Sequence, residues 1–171
     1  MAVIEAIATT YLEADTASVT FSGIPATYEH LQLRMSVKDD RALTIDAMDF
    51  FINGDTTAAN YTYHVMYAYD STLGAYGITS NIQVFWITGS KDASAADYAA
   101  LVLDIPDYAS TAKNTVMTWT AASHSNSRTR LDKGSKLWDD TSAVTSLTFE
   151  PSNATNFVRG SEFTLYGLKS S

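Results

Sequence analysis

The chain contains no cysteine among its 171 residues. This absence excludes disulfide bonds, a thiolate nucleophile, and zinc or iron–sulfur sites built on cysteine. Hydrophobic runs are short, and none approaches the roughly 20 apolar residues that a membrane-spanning helix needs. Basic residues are scarce, since 11 Lys and Arg face 19 Asp and Glu and give a net charge of −8. A field of that sign repels phosphate backbones and anionic headgroups, so neither nucleic acid nor a membrane is expected as a partner.

The N-terminal segment, MAVIEAIATTYLEAD, lacks the basic start of a secretory signal. It has no Lys or Arg before its apolar residues and carries Glu5 among them. A secretory signal begins with basic residues, so this segment does not match one. We therefore expect synthesis in a cytoplasm.

Residues that could carry catalytic chemistry are few and scattered. The chain has three histidines, His30, His64 and His124. Their spacing matches no zinc motif, and neither a nucleophile elbow nor a phosphate-binding glycine loop occurs. The pairs Asp39-Asp40 and Asp139-Asp140 lie at predicted strand ends, where a solvated turn accounts for them, and Asp46 and Asp49 are an odd number of positions apart and cannot share one strand face. The sequence thus predicts no enzyme activity, no cofactor and no metal site.

Most of the chain consists of short segments with the sequence pattern of β-strands. In residues 29–37, Leu31, Leu33 and Met35 alternate with polar residues, which is the period of a half-buried strand. Similar segments follow every ten residues or so, separated by Gly, Asn, Asp and Ser clusters. This pattern predicts an all-β fold, a single antiparallel β-sandwich of jelly-roll type with roughly nine or ten strands. The expected core comprises Leu31, Leu33, Met35, Leu101, Leu103, Leu147 and Phe149.

Two Ala/Gly/Ser-rich segments, residues 70–80 and 89–99, are predicted to be connections, and the second could form one helical turn. Residues 135–138, SKLW, are predicted to be a short strand of their own. Residues 17–171 are assigned to the sandwich. Residues 1–16 stand apart, and they are expected to be either an added edge strand or an arm that packs on a neighbouring subunit through Ile4, Ile7 and Tyr11.

The most unusual strand is residues 61–70, YTYHVMYAYD. It places four tyrosines on one face: Tyr61, Tyr63, Tyr67 and Tyr69. Tyrosine is enriched in interfaces because it buries ring area while its hydroxyl finds a polar partner. The alternatives are one wall of the sandwich interior, with hydroxyls that reach the rim, and a ladder of rings that binds sugars.

Several segments resemble a set of small structural proteins of tailed bacteriophages, many of them cyanophages. The resemblance covers most of the chain from about residue 8 onward and consists of turn and strand signatures. They are Ile24-Pro25-Ala26-Thr27-Tyr28 leading to His30-Leu31, the Asp40-Arg41 turn, the Asn53-Gly54-Asp55 turn followed by Tyr61-Thr62-Tyr63-His64, the Ile105-Pro106-Asp107-Tyr108 corner, and Gly160-Ser161 before residues 163–168.

The resemblance implies a virion protein with a jelly-roll-like fold. A capsid decoration or cement protein is expected to form a homotrimer and to bind the major capsid protein on the outside of the shell. The alternative is a tail or fibre module that recognises host surface glycans; a fibre usually carries a trimerising stalk, and no heptad repeat is present. A hydrolase of host polysaccharide is the least favoured class, because no carboxylate pair is placed for that chemistry.

Overall fold

The computed structural model describes residues 3–88, 96–125 and 128–170, apart from the side chains of residues 84–88 and 125. This part of the chain forms twelve strands and one short 3-10 helix, Ala58–Asn60. The strands are β1 Val3–Tyr11, β2 Val19–Ser22, β3 His30–Val37, β4 Ile45–Ile52, β5 Tyr61–Tyr69, β6 Thr72–Thr79, β7 Gln83–Thr88, β8 Ala99–Pro106, β9 Thr115–Ser125, β10 Arg128–Trp138, β11 Ser146–Pro151 and β12 Glu162–Lys169.

The strands form two antiparallel sheets. The larger has eight strands in the order β1-β12-β3-β8-β9-β10-β5-β6, and the smaller has four in the order β2-β11-β4-β7. The predicted all-β, antiparallel sandwich is therefore confirmed. No helix in the described ranges has the length and apolar character needed to cross a membrane.

The core lies between the sheets, where period-two alternation turns one face of each strand inward. All seven residues that the sequence predicts as core are at most 5% exposed. Aromatic rings join the two sheets: Phe149 on β11 lies 5.0 Å from Phe50 on β4 and 5.9 Å from Phe163 on β12, measured between ring centroids. Because such rings bury large apolar areas, the contact of Phe149 with Phe163 helps to hold the two sheets together.

The N-terminal segment forms an edge strand of the larger sheet. β1 pairs with β12 along its length, with a bulge between Ala6 and Ala8. Ile7 packs against the core, whereas Ile4 and Tyr11 are 52% and 53% exposed. The geometry is that of the edge-strand alternative, and contact of Ile4 and Tyr11 with another subunit stays a prediction.

Two strands differ from the sequence prediction. Residues 72–79 form β6 within a predicted connection, and the predicted strand 135–138 is the end of β10. The glycines explain the error: a Cβ on Gly74 would lie 2.5 Å from the ring of Tyr67, and one on Gly134 would lie 2.2 Å from the ring of Trp119. Each glycine is the cross-strand partner of that aromatic residue, so it makes room for a ring and does not mark a loop. Residues 89–95 of the other predicted connection lie outside the described residues.

Candidate interaction surface

The outer face of β9, β10, β5 and β6 is nearly free of charge; we call it the uncharged half-sheet. Its outward positions carry no Asp or Glu, and Lys133 is their one Lys or Arg. This is unusual in a chain with 19 acidic residues. Depletion of charge is the compositional mark of interface cores.

Apolar side chains form a ridge across the uncharged half-sheet. Strand pairing places Leu73, Ala68, Leu131 and Ala122 in one row over four adjacent strands. Leu73 is 82% exposed, Leu131 51% and Met66, one row away, 58%. Since neighbouring strands lie about 4.8 Å apart, this ridge is a continuous apolar surface and not a set of isolated side chains.

The other half of the same outer face is polar and internally bonded. Gln32 Nε2 donates to Asp104 Oδ1 at 2.8 Å, and Arg34 Nε donates to Gln32 Oε1 at 3.0 Å. The guanidinium of Arg34 also lies 5.6 Å from the ring centroid of Tyr166. The outer face is therefore divided into one half with satisfied charges and one half that exposes apolar area.

The predicted tyrosine interface needs correction. Tyr61 and Tyr63 are 0% and 6% exposed and face the core, so they present no surface to a partner. The hydroxyl of Tyr61 donates to the Asp55 carbonyl at 2.8 Å and accepts from Ile52 N at 3.1 Å. The inner-wall alternative describes these two residues, because the odd positions of β5 point toward the core.

Tyr67 and Tyr69 continue the same inner face and are half-buried. The Arg130 guanidinium lies 4.9 Å from the ring centroid of Tyr67, and that of Arg128 lies 5.5 Å from the ring of Tyr69. Arg130 Nε in turn donates to the buried carboxylate of Asp132 at 2.9 Å. Tyr67 and Tyr69 are thus the members of the predicted tyrosine interface that keep exposed ring area.

The prediction that the Asp39-Asp40 pair lies in a solvated turn is wrong for Asp39. Asp39 and Asp46 are both 0% exposed. Asp46 accepts from Arg41 Nη1 at 2.5 Å and from Asn153 Nδ2 at 2.8 Å, while Asp39 Oδ1 accepts from Arg41 N at 3.0 Å. Burial, together with the nearby carboxylate of Asp46, raises the pKa of Asp39.

The second oxygen of Asp39, Oδ2, is buried and receives no hydrogen bond. A buried carboxylate oxygen without a donor favours the protonated, neutral form of Asp39. The adjacent residue behaves differently: Asp40 accepts from Thr155 N at 2.8 Å and Asn156 N at 3.1 Å. Partial burial alone would raise the pKa of Asp40, but the hydrogen bonds from Asn156 and Thr155 lower it.

Lys136 on β10 is a buried amine. It is 1% exposed, its Nζ donates to the Ile82 carbonyl at 2.6 Å, and the same atom lies 4.5 Å from the ring centroid of Tyr61. Burial lowers the pKa of Lys136 to about 6, and the charge of Asp49 only partly opposes this effect. The amine is therefore mostly neutral at pH 7 and is enclosed by the core.

Acidic residues and histidines form no metal centre in the part of the chain that the structure describes. No set of three His, Asp or Glu residues there could hold a metal ion. The histidines are apart: His30 Nδ1 accepts from Asp107 N at 3.1 Å, while His64 and His124 are exposed on the outer face of different strands.

Comparison with protein-family models and with curated proteins finds no match. The uncharged half-sheet is the feature that the sequence analysis missed, although a signal was present. Alternate positions of residues 62–68 and 116–124 contain only Thr, His, Met, Ala and Val. The tyrosines of β5 lie on the opposite side of the strand from these residues, which form part of the candidate surface.

Proposed function

We propose that this chain is a non-enzymatic structural protein of a virion that binds the outside of an icosahedral shell as an oligomer and stabilises it. The uncharged half-sheet is the observation that carries the proposal. It is broad, exposes apolar side chains and lacks the carboxylates that are abundant elsewhere, as a surface made for a large protein contact does. The choice of the major capsid protein as the partner rests on the resemblance of the turn and strand signatures to those of phage structural proteins.

We propose that the protein stabilises the shell through the free energy of its binding. A protein that binds the assembled shell and not its dissociated subunits stabilises the shell by mass action, without turnover of any substrate. The apolar ridge would supply contact area, and the many threonines around it would offer hydroxyls to the partner at little cost in desolvation. The −8 charge would then lie mainly on surfaces turned away from the contact.

The test is a pair of charge insertions. Met66→Glu and Leu131→Glu are each expected to weaken binding to shells at least about tenfold, because a carboxylate would be buried unpaired in the contact. Both side chains are more than half exposed, so the fold should tolerate the changes. Co-sedimentation of each variant with purified particles measures the affinity.

Ser36→Glu is the matched control, because Ser36 is exposed on the polar half of the same outer face. It should change the affinity less than about twofold, as surface substitutions outside a contact usually do. Full binding by both the Met66 and the Leu131 variants would contradict the proposed surface. Particles whose heat resistance is the same with and without the protein would contradict the proposed function.

The second candidate is a tail or fibre module that binds host glycans, and the exposed ring area of Tyr67 and Tyr69 favours it. Aromatic rings of this kind can stack on sugar rings. Under this alternative, Tyr67→Ala and Tyr69→Ala would lose binding on a glycan array, while Met66→Glu would keep it. A wild-type protein that binds no glycan on the array would exclude the candidate for the sugars presented.

A further inference from the structure

The two edges of the large sheet are built differently. β6 pairs with β5 on one side, and no strand within residues 3–88, 96–125 and 128–170 pairs with its other side. Exposed edges are commonly protected by charged residues, proline or a bulge. β1 has Glu5 and a bulge, whereas β6, TLGAYGIT, has no charged residue or proline and keeps a regular register with β5. As far as the described residues go, the β6 edge is therefore open to pairing.

We propose that β6 pairs antiparallel with β6 of a second copy of this chain across a twofold axis, so that the two eight-stranded sheets become one. This inference goes beyond the proposed function and does not depend on it. An edge that pairs with itself makes an isologous contact, which closes as a dimer. It therefore differs from the trimer that the sequence analysis predicts.

Geometry restricts the register of such a pair. A twofold axis perpendicular to the sheet keeps both outer faces on the same side, so outward residues must lie opposite outward residues. The outward positions of β6 are the odd ones, with Leu73, Ala75 and Gly77 all exposed. In the register centred on Ala75, Leu73 of each copy lies opposite Gly77 of the other, and Tyr76 opposite Gly74. At these positions the register therefore sets no two large side chains directly opposite each other, although the ring of Tyr67 of the same copy already covers Gly74.

Charge also favours a second copy as the occupant of this edge. Each copy carries a net charge of −8, yet none of that charge lies on β6. The carboxylate nearest to β6 along the chain, Asp70, is already held by Arg128 Nη1 at 2.6 Å and Thr129 N at 3.0 Å. The two copies could therefore join without placing like charges opposite each other. The pairing would also place the two uncharged half-sheets side by side, with Leu73 of both copies along the junction.

Single cysteines test the register directly, because the chain has none of its own. Opposite residues of an antiparallel pair have Cα atoms about 4.5–5.5 Å apart, which is within disulfide range. Ala75→Cys should therefore form a covalent dimer under mild oxidation, measured by non-reducing electrophoresis. Thr79→Cys is the matched control on the same edge and face, since the two copies of residue 79 would lie about 26 Å apart. Equal cross-linking of both variants, or of neither, would overturn the register.

Charge variants test the pairing itself. Like charges opposite each other destabilise a strand pair, and opposite charges favour it. Ala75→Lys and Ala75→Glu should each raise the dimer dissociation constant at least about tenfold in sedimentation velocity, and an equimolar mixture should restore the dimer. Ala6→Lys, on the exposed face of the opposite edge strand, should leave the dimer unchanged. Circular dichroism should show that every variant keeps its strand content.

Two results would overturn the proposal. The first is a wild-type chain that stays monomeric up to about 100 µM. The second is a trimer that Ala6→Lys dissociates and Ala75→Lys leaves intact, which would assign the contact to the N-terminal edge.

Discussion

Replacing Lys136 with methionine is expected to raise the free energy of unfolding at pH 7 by about 2–3 kcal/mol. Burial lowers the pKa of Lys136 from 10.5 to about 6, so folding at neutral pH removes a proton that the unfolded chain holds firmly. At about 1.4 kcal/mol for each pKa unit, this cost has an upper limit of about 5 kcal/mol. Methionine fills a similar volume, and its main loss is the hydrogen bond to the Ile82 carbonyl, which still accepts from Phe50 N at 3.3 Å.

The contribution of Lys136 to the free energy of unfolding should depend on pH. Between pH 6 and 10.5 the unfolded chain binds more protons at Lys136 than the folded chain does, so this residue makes stability rise with pH across that window. The methionine variant should lose this rise. Urea unfolding at pH 6, 7, 8 and 9 measures the slope for wild type and variant.

Lys133→Met is the control for the loss of a positive charge. Lys133 lies on the same strand but faces solvent on the outer side, so its replacement should change stability by no more than about 0.5 kcal/mol. A Lys136→Met variant that is less stable than wild type at pH 7, and that keeps the wild-type pH slope, would show that the amine does not lose its proton on folding.

The parts of the fold that the sequence predicts are those where one physical effect decides the structure. Leu31, Leu33 and Met35 alternate with polar residues, and the buried face of β3 follows from that alternation alone. The same holds for Leu101 and Leu103 on β8. These strands are long, strongly periodic and covered on one face, so tertiary context adds little to the local pattern.

Where a contact across the sheet decides the structure, the sequence pattern fails. Gly74 and Gly134 are typical of loops, and only the rings of Tyr67 and Trp119 on neighbouring strands explain their place in β6 and β10. The buried Asp39 is similar. A short run of charges is normally solvated, and its burial depends on Arg41 and on Asp46 in the next strand. No local pattern contains that information.

The candidate surface was only partly predictable for the same reason. Alternation shows that β5 has two different faces, but it does not show which face the small sheet covers. The tyrosine-bearing side is the covered one near Tyr61 and Tyr63, which leaves Met66 and its neighbours exposed. The uncharged half-sheet becomes visible only when the outward positions of four strands are placed side by side.

Replacing Asp39 with asparagine is expected to stabilise the protein at alkaline pH, by about 3 kcal/mol at pH 9. Burial first, and then the Asp46 carboxylate, raise the pKa of Asp39 from 3.8 to about 8. Between pH 3.8 and about 8 the folded chain binds more protons at Asp39 than the unfolded chain does, so the free energy of unfolding falls as pH rises through this range. Asparagine keeps an oxygen for Arg41 N, has nearly the shape of the neutral acid and cannot ionise.

The wild-type profile should reflect both buried groups. Asp39 makes stability fall from about pH 4 to 8, while Lys136 makes it rise from about pH 6 upward, so the two slopes oppose each other between pH 6 and 8. We expect a nearly flat wild-type profile there, a rising profile for Asp39→Asn and a falling one for Lys136→Met. The two sites lie on different elements, so a double variant should be close to additive and flat.

Asp40→Asn is the matched control for Asp39→Asn, and it should have the opposite effect. The Asp40 carboxylate accepts hydrogen bonds from Thr155 N, Asn156 N and Asn156 Nδ2, which lower its pKa, so its contribution to stability is present at neutral pH and lost on acidification. An amide at residue 40 would oppose a donor at Asn156 and should destabilise the fold at pH 7 by about 1–2 kcal/mol. Urea unfolding of Asp39→Asn and Asp40→Asn at pH 5, 7 and 9 distinguishes a neutral buried acid from an ionised, hydrogen-bonded carboxylate. If Asp39→Asn lowers stability at pH 9 as Asp40→Asn does, then Asp39 is an ordinary ionised carboxylate in the folded chain.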